Sequence, residues 1–240
     1  MSMFEKIYYI NLNNDINKKN FFEENILKLK SLAGCERFVG VDGYYLDIRT
    51  LPTNIITDDA YRDVLSKKQK HYGVSLTYGS LGCALSHYLI YKECSFSKKP
   101  FLVFEDDVSF DKNFDQHILE LNKYLDVFLF DIIFIGYNHL PSLIIKEYDN
   151  VLCKPSGLIT GLYAYIISPI GANKILNYIF PINKQLDSSI SDNIDLLNCF
   201  CLKNNIVSVN RHFGSKTQSV QSFKNIHNDY KNNDWYNLFQ

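Results

Sequence analysis

Three acidic residues in a row, Glu105-Asp106-Asp107, close the uninterrupted apolar run Phe101-Leu102-Val103-Phe104. Such a run fits a central strand buried on both faces of a parallel sheet, and ligands of open α/β sheets sit outside the carboxyl ends of strands. Adjacent carboxylates repel and raise each other's pKa, a cost that a divalent cation removes. Carboxylate oxygens without thiolates or a histidine cluster favour a hard ion, Mg²⁺ or Mn²⁺. An ion of that kind keeps waters and binds phosphates, so the triplet points to a phosphate-bearing substrate whose leaving group needs its charge neutralised. A solvated acidic loop after a core strand accounts for the same three residues without chemistry.

Four further groupings stand beside the triplet. In GSLGCALSH (79–87), Gly79 and Gly82 sit at a helix entrance whose free N–H groups can hold an anion such as a diphosphate, with Ser86 and His87 about two turns further on. A plain helix cap with a buried structural histidine is the alternative. Asn11-Leu12-Asn13 and Asp42 fall at two strand exits, where amide and carboxylate groups can bond a base and ribose and where Lys18 or Lys19 can face phosphate. On these residues alone, a pair of polar loops is the better account. Asp187 precedes Asp192 and Asp195, which share a helix face at i and i+3. A carboxylate there can take the proton of an acceptor hydroxyl, or merely complement a helix dipole. Late in the chain, Arg211-His212 and Ser215-Lys216 can complete a metal shell or pair with phosphate, or form a polar tail. His71, His117, His139 and His227 have no companions at ligand spacing. No GxSxG, Walker or GxGxxG motif is present, which disfavours an esterase, a P-loop NTPase and a Rossmann dehydrogenase.

The elements that must hold these groups read as alternating helices and short buried strands. Lys6–Leu12 is a first strand, FFEENILKLKSLAG a helix closed by Gly34, and Arg37–Val41 a second strand. Residues 44–78 read as loop or short helix. A helix with one apolar face follows from Gly79, then the acidic-ended strand, a helix over 113–125, a strand over 131–136 and a turn-rich 138–158 that fits a hairpin. Tyr163–Ile167 is a strand, and Ser168-Pro169 starts a helix with a capping side chain followed by proline. Residues 188–203 read as helix and 206–209 as strand. This order implies an α/β single domain, a mostly parallel central sheet with helices on both faces.

Composition narrows the partners. The 240 residues are 46% hydrophobic, enough for a large core and against disorder. Twenty-five basic against 26 acidic residues leave no field to hold a nucleic-acid backbone. The most apolar region, 125–137, is broken by Asp126 and Asp131 and cannot span a bilayer, and the N-terminal apolar stretch is too short for an export signal. Six cysteines without a CxxC pair read as buried free thiols, Cys199-x-Cys201 among them, in a reducing cytoplasm. Membrane contact is at most peripheral, through Trp235 and Tyr236.

In order along the chain, YINLNNDINKK, FVGVDG, GSLGCALSH, LVFEDDV, IFIG and GLYAYIISPIGANKIL resemble glycosyltransferase family 25, the lipooligosaccharide and procollagen β-galactosyltransferase-like enzymes. The pairing of GCALSH with a following EDDV is the specific part. The resemblance implies a GT-A-like domain over 1–210, with a polar extension, 211–240, packing on or near the donor site. It also implies a UDP-sugar donor, most often UDP-galactose, a Mn²⁺ or Mg²⁺ ion, and inversion at the anomeric carbon. On this resemblance Asp107 and Glu105 fall in the acidic metal motif, with Glu105 and Asp106 also beside the donor. Asn11, Leu12 and Asp42 fall in the nucleotide crevice, and Gly82, Ser86 and His87 in the helix beside it. Asp187 falls where the family tends to carry a late acidic residue near the acceptor, which makes it the candidate base. The chain departs from the family pattern in carrying Lys18 and Lys19 for arginines, Ser80 for an acid and Lys216 for an acid. The last change makes His212 a candidate metal ligand. The acceptor is a glycan or glycolipid hydroxyl, or one on a protein. A non-catalytic nucleotide-sugar or glycan binder on the same scaffold and a metal-dependent phosphohydrolase are the competing readings.

Overall fold

The apolar runs become the middle of one sheet. The computed structural model describes residues 3–66, 75–125, 129–138, 140 and 143–214. Eight strands stand in the order β2 (Glu36–Val39), β1 (Lys6–Asn11), β3 (Phe101–Glu105), β8 (Thr160–Ile167), β5 (Ile132–Asn138), β9 (Cys199–Leu202), β7 (Leu152–Ser156) and β6 (Ile144–Glu147). Following the pairings across the sheet, six strands run one way and two, β8 and β7, run against them. The α/β class with a mostly parallel sheet is therefore what the chain adopts. β8 is the exception that matters: it lies antiparallel between β3 and β5, so its beginning shares an edge with their carboxyl ends.

Alternation along β3 explains why this strand is apolar throughout. Phe101 and Val103 enter the core on one face, with Tyr8, Phe134 and Tyr165, while Leu102 and Phe104 enter the core on the other, with Tyr9, Phe22 and Ile133. Each residue of a two-sided strand must be apolar because the period of two sends neighbours to opposite cores. The first core is covered by α2 (Asp58–Leu65), α3 (Tyr78–Cys94), α5 (Pro169–Tyr178) and α6 (Leu186–Asp192). The second is covered by α1 (Ile16–Ile26) and α4 (Phe114–Leu125). A separate ribbon pairs β4 (Val108–Phe110) antiparallel with β10 (Val207–Val209), so the chain just after the acidic triplet is tied to the chain just before Arg211.

Several expectations need correcting. The 188–203 stretch is not one helix: α6 ends at Asp192, a 3-10 turn follows over Ile194–Leu196, and Cys199–Leu202 is a buried strand. Its CFCL run is β-compatible and fully buried, where periodicity does not separate strand from helix. The first helix begins at Ile16, and Gly34 follows a separate 3-10 turn rather than closing that helix. The α3 helix is buried nearly all round rather than on one face, because α5, α6 and the 43–45 turn pack against it. The hairpin in 138–158 is present as β6 and β7, and the Ser168 side chain caps α5 as its sequence implies. Among the described residues no helix is long and apolar enough to cross a membrane. Ser215, Lys216, Trp235, Tyr236, His71, His139, His227 and most of the 211–240 extension lie outside the described residues.

Candidate functional site

One cavity of about 670 Å³ opens where β1, β3 and β5 end and β8 begins. Its wall includes Leu12, Lys18, Asp42, Ser86, His87, Glu105, Asp106, Asp107, Asp187 and Arg211. Residues as far apart in sequence as Leu12 and Asp187, 175 positions, thus meet in one cleft. Asn11, Gly82 and His212 are not part of that wall.

The acidic triplet is folded inward, not splayed into solvent. Asp106 and Asp107 are buried, and Glu105 is half-buried. Lys18, itself buried on α1, places Nζ 2.8 Å from Asp107 Oδ2 and 3.5 Å from Asp106 Oδ1. Asn11 Nδ2 donates to Asp106 Oδ2 at 2.7 Å, and Arg37 Nε donates to Asn11 Oδ1 at 2.9 Å. Asn11 is therefore a strut behind Asp106. Burial pushes the Asp107 carboxyl up to about 6, with Glu105 adding to the rise and Lys18 opposing it. Burial also raises Asp106, against the pull of Lys18 and Asn11. For Lys18, burial works against the charged form, but Asp107 and Asp106 outweigh it and the ammonium is held well above its ordinary range.

One oxygen of this group, Asp107 Oδ1, is buried without a hydrogen-bond partner among the described residues. An orphaned anionic oxygen beside two more carboxylates fits a hard divalent cation. Asp107 and Glu105 are the residues that would hold it. The Asp107 carbonyl accepts from the Asn210 N–H at 2.7 Å, which fixes the triplet to the Arg211 turn. That turn, a 3-10 segment over Arg211–Phe213, directs Arg211 to the cavity wall, while His212 is exposed beside it.

The helix entrance differs from the simplest anion-hole picture. Thr77 caps α3, and its reciprocal bonds with Ser80 use two of the donors at that end. Gly82 serves packing: a Cβ there would lie 2.4 Å from the Val41 carbonyl oxygen and 2.5 Å from the Gly43 nitrogen. Ser86 Oγ donates to the Gly82 carbonyl and accepts from the Val41 N–H, both at 2.8 Å, clamping α3 to the second strand exit. Asp42 caps the 43–45 turn by accepting from the Tyr44 N–H at 3.1 Å, and its other oxygen accepts from Asn14 at 3.2 Å.

Asp187 sits in the first turn of α6, facing the same cavity. Its Oδ1 accepts from the Ser188 N–H at 2.8 Å and its Oδ2 from the Gly161 N–H at 3.2 Å. Burial raises its pKa, with Glu105 contributing in the same direction. Asp192 pairs with Lys184, and Asp195 lies in the following 3-10 turn; neither joins the cavity. Lys19 pairs with Glu23 along α1 and also stands outside it.

The sequence reading gave no role to Cys83, Gly161 or Tyr163, all of which line the cleft. Cys83 was detectable, since it stands four residues before His87 on one helix face. Gly161 and Tyr163 were not, because their place depends on β8 being antiparallel.

The family described as glycosyltransferase family 25 (LPS biosynthesis protein) matches residues 4–190. The chain belongs to glycosyltransferase family 25. Procollagen galactosyltransferase 2 of Homo sapiens is 32% identical over 145 residues, 57% of this chain and 22% of that protein. Procollagen galactosyltransferase 1-B of Xenopus laevis is 28% identical over 195 residues, 76% of this chain and 30% of that protein. Inactive glycosyltransferase 25 family member 3 of Homo sapiens is 31% identical over 147 residues, 57% of this chain and 23% of that protein. The chain thus spans less than a third of the length of these curated relatives. Among solved structures, UDP-glucose pyrophosphorylase complexed with UDP-glucose overlaps 83% of this chain and 90% of its own with a TM-score of 0.41 and 10% identity. An overlap that loose carries no functional argument.

Proposed function

We propose that the chain is a metal-dependent, inverting glycosyltransferase of GT-A type. It moves a hexose, with galactose the first to test, from a UDP-sugar to a hydroxyl of a glycan such as lipooligosaccharide, or of a protein. The observation that carries this reading is the convergence of Glu105, Asp106, Asp107 and Asp187 with Lys18 and Arg211 on one cavity of a family 25 chain. The galactosyltransferases among its relatives support the choice of sugar.

Glu105 and Asp107 would hold Mg²⁺ or Mn²⁺. Such an ion supplies positive charge where the departing diphosphate becomes more negative, usually the largest electrostatic contribution in reactions of this kind. Lys18 and Arg211, both on the cavity wall, would pair with the diphosphate. Leu12, Asp42, Ser86 and His87 shape the nucleotide crevice. Asp187 removes the proton of the acceptor hydroxyl as that oxygen bonds to the anomeric carbon and the carbon–phosphate-oxygen bond breaks. A carboxylate whose pKa is raised toward neutrality is a stronger base for that task. Six unpaired cysteines support a reducing compartment.

A second reading, binding of the nucleotide sugar without transfer, is favoured by the relatives named inactive and by the Lys18 ammonium already neutralising Asp107. A screen of UDP-sugars scored by Mn²⁺-dependent UDP release, beside calorimetry with UDP, separates the two. Release that is abolished in a folded Asp107→Asn variant supports the transferase. UDP binding with no release across the screen overturns it in favour of the binder, and release of inorganic phosphate from simple phosphoesters overturns it in favour of a phosphohydrolase.

A further inference from the structure

The cavity wall carries a second set of donor atoms, different in chemistry from the carboxylates. Cys83 and His87 are one helical turn apart on α3, and Glu105 ends β3 opposite them. Cys83 Sγ stands 3.9 Å from Glu105 Oε1, and His87 Nε2 stands 4.0 Å from the same oxygen. All three donor atoms lie within 4.8 Å of one another. Around a tetrahedral zinc ion, with its usual bond lengths to sulfur, nitrogen and oxygen, ligand atoms are spaced about 3.3–3.7 Å apart. Small rotations of Cys83 and Glu105 therefore close the set.

The histidine gives the independent sign of a ligand. His87 is fully buried, and its Nε2 has no hydrogen-bond partner among the described residues. Its Nδ1 is 2.7 Å from the Tyr165 hydroxyl. A buried imidazole held at one nitrogen by an outer partner, with the other nitrogen left over, is the arrangement in which metal-binding histidines are oriented. The orphaned nitrogen faces the Glu105 carboxylate. All three residues also line the cavity, so a fourth coordination position is open to it.

We infer that Cys83, His87 and Glu105 form a binding site for a borderline-soft divalent ion, Zn²⁺, with three protein ligands and one position facing the cleft. A thiol and an imidazole select against Mg²⁺ and toward zinc or cobalt. On binding, the Cys83 S–H bond is replaced by a sulfur–metal bond and the proton passes to solvent. Glu105 is shared with the hard-ion pair proposed above, so the two ions compete for it. That competition rests on the proposed function, whereas the binding itself does not.

Co²⁺ titrated into the reduced, metal-free full chain is the test. The expected result is one Co²⁺ per chain with a thiolate-to-cobalt charge-transfer band, which Zn²⁺ then abolishes. Cys83→Ser loses the band, and Glu105→Gln binds Zn²⁺ more weakly than wild type. Tyr165→Phe, which removes the outer partner of His87, weakens Zn²⁺ binding by about 10–100-fold. A folded wild-type chain that shows no charge-transfer band overturns the inference without needing any variant. So does a band that persists in Cys83→Ser, because one of the other cysteines would then be its source. A cobalt band in a chain without UDP release leaves this site standing and removes the transferase reading. Mn²⁺-dependent UDP release without a cobalt band does the reverse.

Discussion

Replacing Lys18 with methionine tests the electrostatics of the cleft. The side chain keeps its length and loses its charge. In the structure that charge lies 2.8 Å from Asp107 and 3.5 Å from Asp106, all three side chains being about nine-tenths buried. At an effective dielectric near 20 these separations correspond to gross attractions of about 6 and about 5 kcal/mol. Most of that is offset by the cost of taking the three charges out of water. Removing one partner of such a group costs about 3–5 kcal/mol, because the remaining charges stay buried without compensation. For a chain of this size that is a fall of about 6–20 °C in melting temperature. The measurement belongs near pH 8, where Asp107 is ionised; at lower pH the orphaned carboxylate takes up a proton and the loss shrinks. Mn²⁺ at about 100 times its Kd returns about 2.7 kcal/mol to any chain that binds it only when folded. At one fixed Mn²⁺ concentration the variant should gain more than wild type, whose Lys18 ammonium beside Asp107 repels the ion and raises its Kd. Thermal melts of both proteins, with and without Mn²⁺, decide the matter. Equal melting temperatures, or equal gains on adding the ion, would refute the claim that Lys18 occupies the place of a cation.

Three other outcomes are expected. Asp107 is held at about 6 in the folded chain against an ordinary 3.8, so between those values the folded state binds more protons than the unfolded one. Stability from this group is therefore present at low pH and lost as pH rises through about 6, while metal-dependent turnover rises over the same range; melting curves against pH should flatten in Asp107→Asn. Asp187→Asn should lower acceptor-dependent UDP release by about 10²–10⁴-fold while calorimetry with UDP is unchanged, and an unaltered rate would remove Asp187 as the base. Gly82→Ala should destabilise the fold by about 1–3 kcal/mol in denaturant titrations, since its methyl group would meet two backbone atoms that cannot rotate away.

The acidic end of β3 was readable in the sequence because an all-apolar strand followed by three carboxylates has few other places to be. The α5 start was readable from Ser168-Pro169, whose capping and backbone preferences agree. Asn11, Gly82 and Ser86 fell in the right neighbourhood, yet their roles were hidden: each is consumed by a bond or contact to a residue remote in sequence, which residue type alone does not reveal. The Lys18 ion pair was hidden for the same reason, being a contact between positions 89 residues apart. The β9 strand was read as helix because a short, fully buried apolar run has no polar face from which to take its period. Residues 44–78 resisted reading because two of their elements are single 3-10 turns held by Asp42 and Asp47 side chains rather than by an amphipathic pattern.

The reversed strand β8 divides the cleft into two sides built by different stretches of the chain. On one side, β1, β2, β3 and α3 bring the carboxylates and the crevice; on the other, the start of β8 and α6 bring Gly161, Tyr163 and Asp187. The Asp187 carboxylate is held by the Gly161 amide, not by anything on the first side. Under the proposed function, substitutions at Gly161 or Asp187 would bear on what receives the sugar, and those at Leu12 or Asp42 on the grip on the nucleotide.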